Sequence, residues 1–101
     1  MTKREQLEQM LAASPNDAFL KYALAMAYAS EGQTAEAAKR LAVFNQEHPQ
    51  DVPGYFQRGK LLAKLGEEDE ARTVLKQGIS VARQVGDSHA EAEMTAFIDM
   101  L

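Results

Sequence analysis

The sequence contains no cysteine and no tryptophan, and only three of its 101 residues are proline. Without cysteine, disulfides, thiol catalysis, Fe–S ligation and zinc ribbons are all excluded. A domain of this size without cross-links must be stabilised by packing alone, and a reducing compartment such as the cytoplasm is the expected location. The prolines, at positions 15, 49 and 53, fall inside no long apolar period. These absences favour an all-α fold.

Long hydrophobic runs are also missing. The longest weakly polar stretch, residues 23–29, is far shorter than the roughly 20 residues that a membrane span requires. The N-terminus lacks the apolar segment of a signal peptide. We therefore expect no membrane partner and no targeting.

Basic charge is scarce, since 15 acidic side chains face 11 basic ones and the net charge is −4. Residues 85–101 contain four acidic and no basic side chains. Binding to a phosphate backbone needs a concentrated basic surface, so nucleic acid is not an expected partner. The acidic end is interpreted first as a solubilising surface.

Alanine, in contrast, occupies seventeen positions, which suits closely packed helices. The sequence repeats itself with a fixed period, which equals the spacing between Pro15 and Pro49, and many residues of the same kind recur at this period. The matched pairs include Pro15 with Pro49, Asp17 with Asp51, Gly32 with Gly66, Glu36 with Glu70, Ala37 with Ala71 and Leu41 with Leu75. Self-similarity at such a period is typical of helical solenoids, arrays and propellers.

Apolar residues recur every three to four positions in six segments, which predicts about six helices. Thr2 and Glu5 form a possible capping box for the first helix. Asn16 or Asp17, and Asp51 in the second unit, are expected to cap the first helix of each repeated unit. The expected inner face of the fourth helix contains Tyr55, Gly59, Leu62 and Leu65. Loops of two to four residues would make neighbouring helices antiparallel.

This pattern resembles the tetratricopeptide repeat (TPR). The residues that carry the resemblance are Leu24, Ala25, Tyr28, Gly32, Ala37, Leu41 and Pro49 in the first unit, and Tyr55, Gly59, Leu62, Gly66, Ala71, Leu75 and Gly78 in the second. Lys21, Phe44 and Arg83 depart from the family pattern. The resemblance implies an all-α, right-handed superhelix of antiparallel helix pairs.

The expected organisation is a single TPR-like domain over residues 1–101. It comprises an N-terminal half-repeat helix (1–16), a first repeat (17–50), a second repeat (51–85) and a C-terminal capping helix (86–101). A lone helix pair cannot bury its apolar face, so stacked units need sealed ends.

The resemblance further implies a protein–protein interaction module whose concave groove binds a peptide or helix of another protein. The implied groove residues are Phe19, Tyr22, Met26, Ser30, Phe56, Lys60 and Lys64. They would suit a ligand with apolar anchors and an acidic group. Tyr22 and Met26 stand where chaperone-binding members of the family carry a Lys and an Asn.

Two alternatives to an open groove remain. The same aromatic residues could be core, or the last helix could cover them, since Met94 and Phe97 need a partner. The chain could also be a structural protein that self-associates, giving a monomer or a weak homo-oligomer.

No residue is a clear candidate for catalysis, and neither a metal nor a cofactor is expected. His48 and His89 each lack a second ligand at a metal-binding spacing. The acidic run at residues 67–70 lies at a predicted helix start, where negative charge meets the positive end of the helix dipole. An enzyme is therefore not expected.

Overall fold

The computed structural model describes all residues 1–101, and they form six helices and no strand. The helices are α1 (Lys3–Ala13), α2 (Ala18–Ser30), α3 (Thr34–Glu47), α4 (Val52–Lys64), α5 (Glu68–Val85) and α6 (Ser88–Asp99). Each helix packs mainly against the next one in the chain, and short loops make successive helices antiparallel. The predicted all-α solenoid of about six helices is confirmed.

Four of the six helices, α1, α2, α4 and α6, begin at a residue whose side-chain oxygen caps the first turn. Thr2 and Glu5 form both hydrogen bonds of a capping box at the start of α1. The Asp17 and Asp51 carboxylates accept the backbone N–H three residues further on, at 2.9 and 3.1 Å. These side chains replace partners that the first turn of a helix lacks. Thr2, Asp17 and Asp51 therefore set the starts of α1, α2 and α4.

Glycine reverses the chain between helices. Gly32, Gly66 and Gly86 follow α2, α4 and α5 with φ of +80°, +83° and +78°. Only glycine adopts this left-handed conformation without a steric cost. The first two glycines occupy equivalent positions of the two repeats, so both repeats turn in the same way.

Small residues let the helices approach closely in the core. Ala25 of α2 is fully buried beside Leu41 of α3. Its counterpart in the second repeat, Gly59 of α4, has no room for a Cβ, which would lie 2.5 Å from the Leu75 side chain of α5. The same close contact therefore recurs in both helix pairs.

One predicted core position is wrong. Leu65 was expected on the inner face of the fourth helix, but α4 ends at Lys64, and Leu65 is its C-terminal cap with 42% of its surface exposed. The apolar period of the sequence continues one residue beyond the end of the helix. Tyr55, Gly59 and Leu62 are buried as expected.

Candidate functional site

Four of the predicted groove residues lie along one face of α2. Tyr22, Met26 and Ser30 follow each other at one-turn spacing, and Phe19 lies one turn before Tyr22. All four line a surface depression of about 290 Å³. The structure therefore brings the α2 half of the predicted set together.

Phe19 is the most exposed aromatic residue on this face, with 74% of its surface accessible. It lies between the first depression and a second one of about 240 Å³, to which Asp51 and Pro53 also contribute. Tyr22 lines both depressions and packs its ring against Phe44, with centroids 5.8 Å apart. An exposed ring flanked by two hollows offers an apolar contact surface.

The Tyr22 hydroxyl lies in a partly desolvated environment. Burial raises the pKa of Tyr22, and the nearby Asp51 carboxylate raises it further. The hydroxyl also interacts with the Gln57 side chain, which acts in the opposite direction on its pKa, and a phenolic O–H can both donate and accept a hydrogen bond.

The α4 half of the predicted set is arranged differently. Phe56 is half-buried and meets Phe97 of α6 edge-on, with ring centroids 6.2 Å apart. Lys60 extends over the Phe56 ring as well, its Nζ 4.2 Å from the centroid. Lys64 is exposed in the last turn of α4. No carboxylate lies within 4.0 Å of either lysine Nζ.

The last helix therefore covers part of the α4 surface and leaves the α2 surface free. Met94 is fully buried, with its sulfur beside Gly78 of α5, and Phe97 reaches Phe56. Phe19 remains exposed. No single depression joins the four α2 residues to the three α4 residues.

The sequence did not indicate that α1 contributes to this surface. Lys3 and Arg4 line the depression beside Met26. The Arg4 guanidinium forms ion pairs with Glu8 at 2.7 Å and with Glu31 at 2.9 Å. Lys3 is therefore the basic residue at this depression that has no ion-pair partner. The predicted capping box could have indicated this contribution, because it places Lys3 and Arg4 in the first turn of α1.

Histidines and carboxylates do not converge anywhere in the chain. No group of three or more His, Cys, Asp or Glu side chains could hold a metal ion. His89 pairs with Glu93 one turn later on the surface of α6, at 3.2 Å. His48 packs its ring against Phe44. None of the six helices combines the length and apolar character needed to cross a bilayer.

Comparison with known families gives two adjacent matches. Family models described as "Tetratricopeptide repeat" match residues 17–51 and 52–85. A TPR repeat-containing protein of Pseudomonas aeruginosa is 34% identical over 97 residues, which cover 96% of this chain and 92% of that protein.

Solved structures show the same arrangement of helices. The solution structure of a Bordetella parapertussis protein is 26% identical, with a TM-score of 0.88 over 99% of this chain and 87% of that one. A crystal structure of a tetratricopeptide repeat domain protein from Salinibacter ruber is 29% identical, with a TM-score of 0.76 over 82% and 92% of the two chains. The similarity to the Bordetella protein therefore extends to α1 and α6, beyond the two matched repeats.

Proposed function

Because the chain belongs to the tetratricopeptide repeat family, we propose that it binds a peptide or helix of another protein in its groove and carries out no catalysis. Tetratricopeptide repeats are generally protein-interaction modules. The proposed binding residues are Phe19, Tyr22, Met26, Ser30, Phe56, Lys60 and Lys64. The proposed location is the cytoplasm.

The exposed ring of Phe19 is the observation that carries the proposal. Burying a phenylalanine side chain stabilises an assembly by roughly 1.5–3 kcal/mol, and this ring is left in water beside two hollows. Aromatic anchors in such surroundings dominate the energetics of many protein interfaces. An apolar side chain of the partner would fill the hollow between Phe19 and Met26.

The lysines define the second part of the ligand. Lys60 and Lys64 lie one turn apart on α4, and neither Nζ has a carboxylate within 4.0 Å. Lys60 is oriented by its cation–π contact with Phe56. An acidic group on the partner would be attracted to these two lysines, which would orient the partner along α4. The proposed ligand therefore has an apolar anchor followed by an acidic side chain.

The ends of the solenoid support a monomer rather than an end-to-end oligomer. We propose that residues 1–16 and 86–101 seal the repeats 17–50 and 51–85. Position 93 of α6 is equivalent to Ala25 of α2 and Gly59 of α4. At those two positions a small residue lets the following helix, α3 or α5, pack closely. Position 93 carries an exposed glutamate. A further helix could not pack closely on α6 without burying the Glu93 charge.

Affinity capture with matched variants tests the groove. Immobilised wild-type protein would be compared with the double variant Phe19→Ser, Lys60→Glu. The control is Val43→Ser, Lys39→Glu, which removes an exposed apolar side chain and reverses an unpaired lysine on α3. We expect a partner that is retained by the wild type and the control and lost from the groove variant.

The captured partner must then perturb the correct surface. Amide chemical shifts of Phe19, Tyr22, Met26 and Lys60 should move on addition of a peptide from its binding segment. A partner that is retained by the groove variant, or that shifts only residues of α3 and α5, would contradict the assignment. Light scattering over a concentration series tests the alternative, a self-associating protein.

A further inference from the structure

A second pair of depressions lies between alternate helices, one between α1 and α3 and one between α3 and α5. The first has a volume of about 300 Å³ and is lined by the apolar residues Leu11, Leu24 and Val43 among others. The second has a volume of about 510 Å³. This second depression is lined by Asn45, Arg58 and Gln77 among others. These three polar residues occupy the positions of the second repeat that are equivalent to Leu11, Leu24 and Val43. The lining therefore changes from apolar to polar at these three equivalent positions. The first depression is also lined by the charged residues Lys21, Glu36, Lys39, Arg40 and Glu47, whereas Arg58 is the one charged residue that lines the second.

The polar depression lies on a different side of the molecule from the proposed groove. Arg58 follows Phe56 by two residues and precedes Lys60 by two, and each step is about 200° around the helix. Phe56 and Lys60 share one face of α4, and Arg58 points to the other. A ligand bound at Arg58 would leave the Phe19 surface free.

The hydrogen bonds of the Arg58 guanidinium are long, although only 19% of its side chain is exposed. One Nη donates to Asn45 Oδ1 and the other to Glu70 Oε1, both at 3.3 Å. Charge-assisted hydrogen bonds are usually about 2.7–2.9 Å long. Glu70 is 52% exposed and approaches from a neighbouring hollow rather than lining this one. A guanidinium has five N–H donors, so most of its capacity is unused.

Asn45 adds a second unsatisfied group. The residue is only 6% exposed, and its Nδ2 has no hydrogen-bond partner. Leaving polar groups buried and incompletely bonded costs stability. The first repeat avoids this cost, since the equivalent positions are Leu11 and Leu24. The Asn45 Nδ2 atom itself packs against Gly54, so Arg58 is the member of this polar pair that a ligand in the depression would contact.

We propose that this depression binds a carboxylate group, with Arg58 as the main contact. Arg58 is the only charged residue that lines it, and no acidic residue does. The planar fork of a guanidinium fits a carboxylate through two parallel hydrogen bonds. Gln46, Gln77 and Ser80 stand around the same hollow and supply further polar contacts. The carboxylate belongs either to a small free acid or to an acidic side chain of a peptide.

Amide chemical-shift titrations distinguish these sources. The probes are succinate, the peptide acetyl-Gly-Asp-Gly-amide, and its neutral counterpart with Asn in place of Asp, each at constant ionic strength. We expect saturable shifts at Ala42, Gln46, Gln77 and Ser80 with at least one carboxylate probe and none with the Asn peptide. Response to succinate alone identifies a small acid, and response to the Asp peptide identifies a protein segment.

Arg58→Leu is the decisive variant, because Leu24 occupies the equivalent position of the first repeat. Asn45 loses the hydrogen bond from Arg58 in this variant, so a dispersed amide spectrum is required first to show that it folds. We expect its affinity for the responsive probe to fall by about tenfold or more. Arg83→Leu removes an exposed arginine elsewhere on α5 and should bind as the wild type does. The groove variant Phe19→Ser, Lys60→Glu should also bind normally, which separates this site from the groove. Unchanged binding by Arg58→Leu, or no saturable response to either carboxylate, would overturn the proposal.

Discussion

Gly78 of α5 lies directly against the Met94 side chain of α6. A Cβ at position 78 would be 2.7 Å from the Met94 sulfur and equally close to the Cβ of Tyr55 in α4. Met94 is fully buried, and it is the only buried residue of α6. The missing side chain at Gly78 therefore lets three helices meet and seats the last helix on the solenoid.

Gly78→Ala should destabilise the protein despite alanine's better helix propensity. The thioether of Met94 could rotate away, but the Tyr55 Cβ is attached to the backbone, so α4 and α5 would have to separate. Overpacking of this kind costs about 1–3 kcal/mol, against a gain of roughly 1 kcal/mol from removing a glycine inside a helix. We expect a lower midpoint in urea unfolding. Ser80→Ala, an exposed site two residues later on α5, should change the midpoint little, and a stabilised Gly78→Ala protein would contradict the contact.

Much of this fold could be predicted from the sequence. The caps at Thr2 and Asp51 and the turn at Gly66 depend on local chemistry, so each could be identified within a few residues. The partner of Gly78 could not, because it depends on how α6 crosses α5. The exposure of Leu65 could not be predicted either, because an apolar period does not show where a helix loses its last hydrogen bond.

The site was less predictable. The α2 residues share a face by helical spacing alone, so Phe19 and Met26 could be grouped without a structure. The contribution of Lys3 could not, because it depends on the rotation of α1 about its axis, and Met10 is exposed despite its apolar character. The Arg58 depression could not be predicted either, because its lining comes from three different helices.

Gly66→Ala should destabilise the turn after α4 by backbone strain. An added Cβ would meet nothing within 4 Å, but φ is +83°, and a side chain at such a left-handed position costs about 1–3 kcal/mol. A loss of about 1 kcal/mol lowers the thermal midpoint by about 4–8 °C in a domain of roughly 60–100 residues. Gly66→Asn should lose less, because asparagine tolerates this conformation. Equal losses for alanine and asparagine would point to a cause other than φ.

Acidification should weaken the start of α1. The Glu5 carboxylate accepts the backbone N–H of Thr2, and the Thr2 backbone and side chain lower the pKa of Glu5 below its usual 4.5. A carboxyl with a depressed pKa in the folded state contributes stability above its unfolded pKa and loses it as pH falls through the folded pKa. We expect the helical Cα chemical shifts of residues 3–6 to decrease below about pH 4.5. In Glu5→Gln this local change should be absent, and an identical decrease in both proteins would assign it to another carboxyl.

Glu93→Ala should promote end-to-end association. Position 93 is equivalent to Ala25 and Gly59, where a small residue lets the next helix dock. In the wild type this position carries an exposed charge paired with His89, and burying that charge against a second copy is unfavourable. An alanine there would leave three small residues, with Ala92 and Ala96, exposed on α6. We expect light scattering to show a mean mass that rises with concentration for Glu93→Ala but not for the wild type.

Asp99→Ala is the matched control for this end of the solenoid. It makes the same change in charge on another face of α6 and should remain monomeric, because its face is not the one on which a helix would dock. If Glu93→Ala stays monomeric at the highest concentration, the glutamate is not what seals this end of the solenoid.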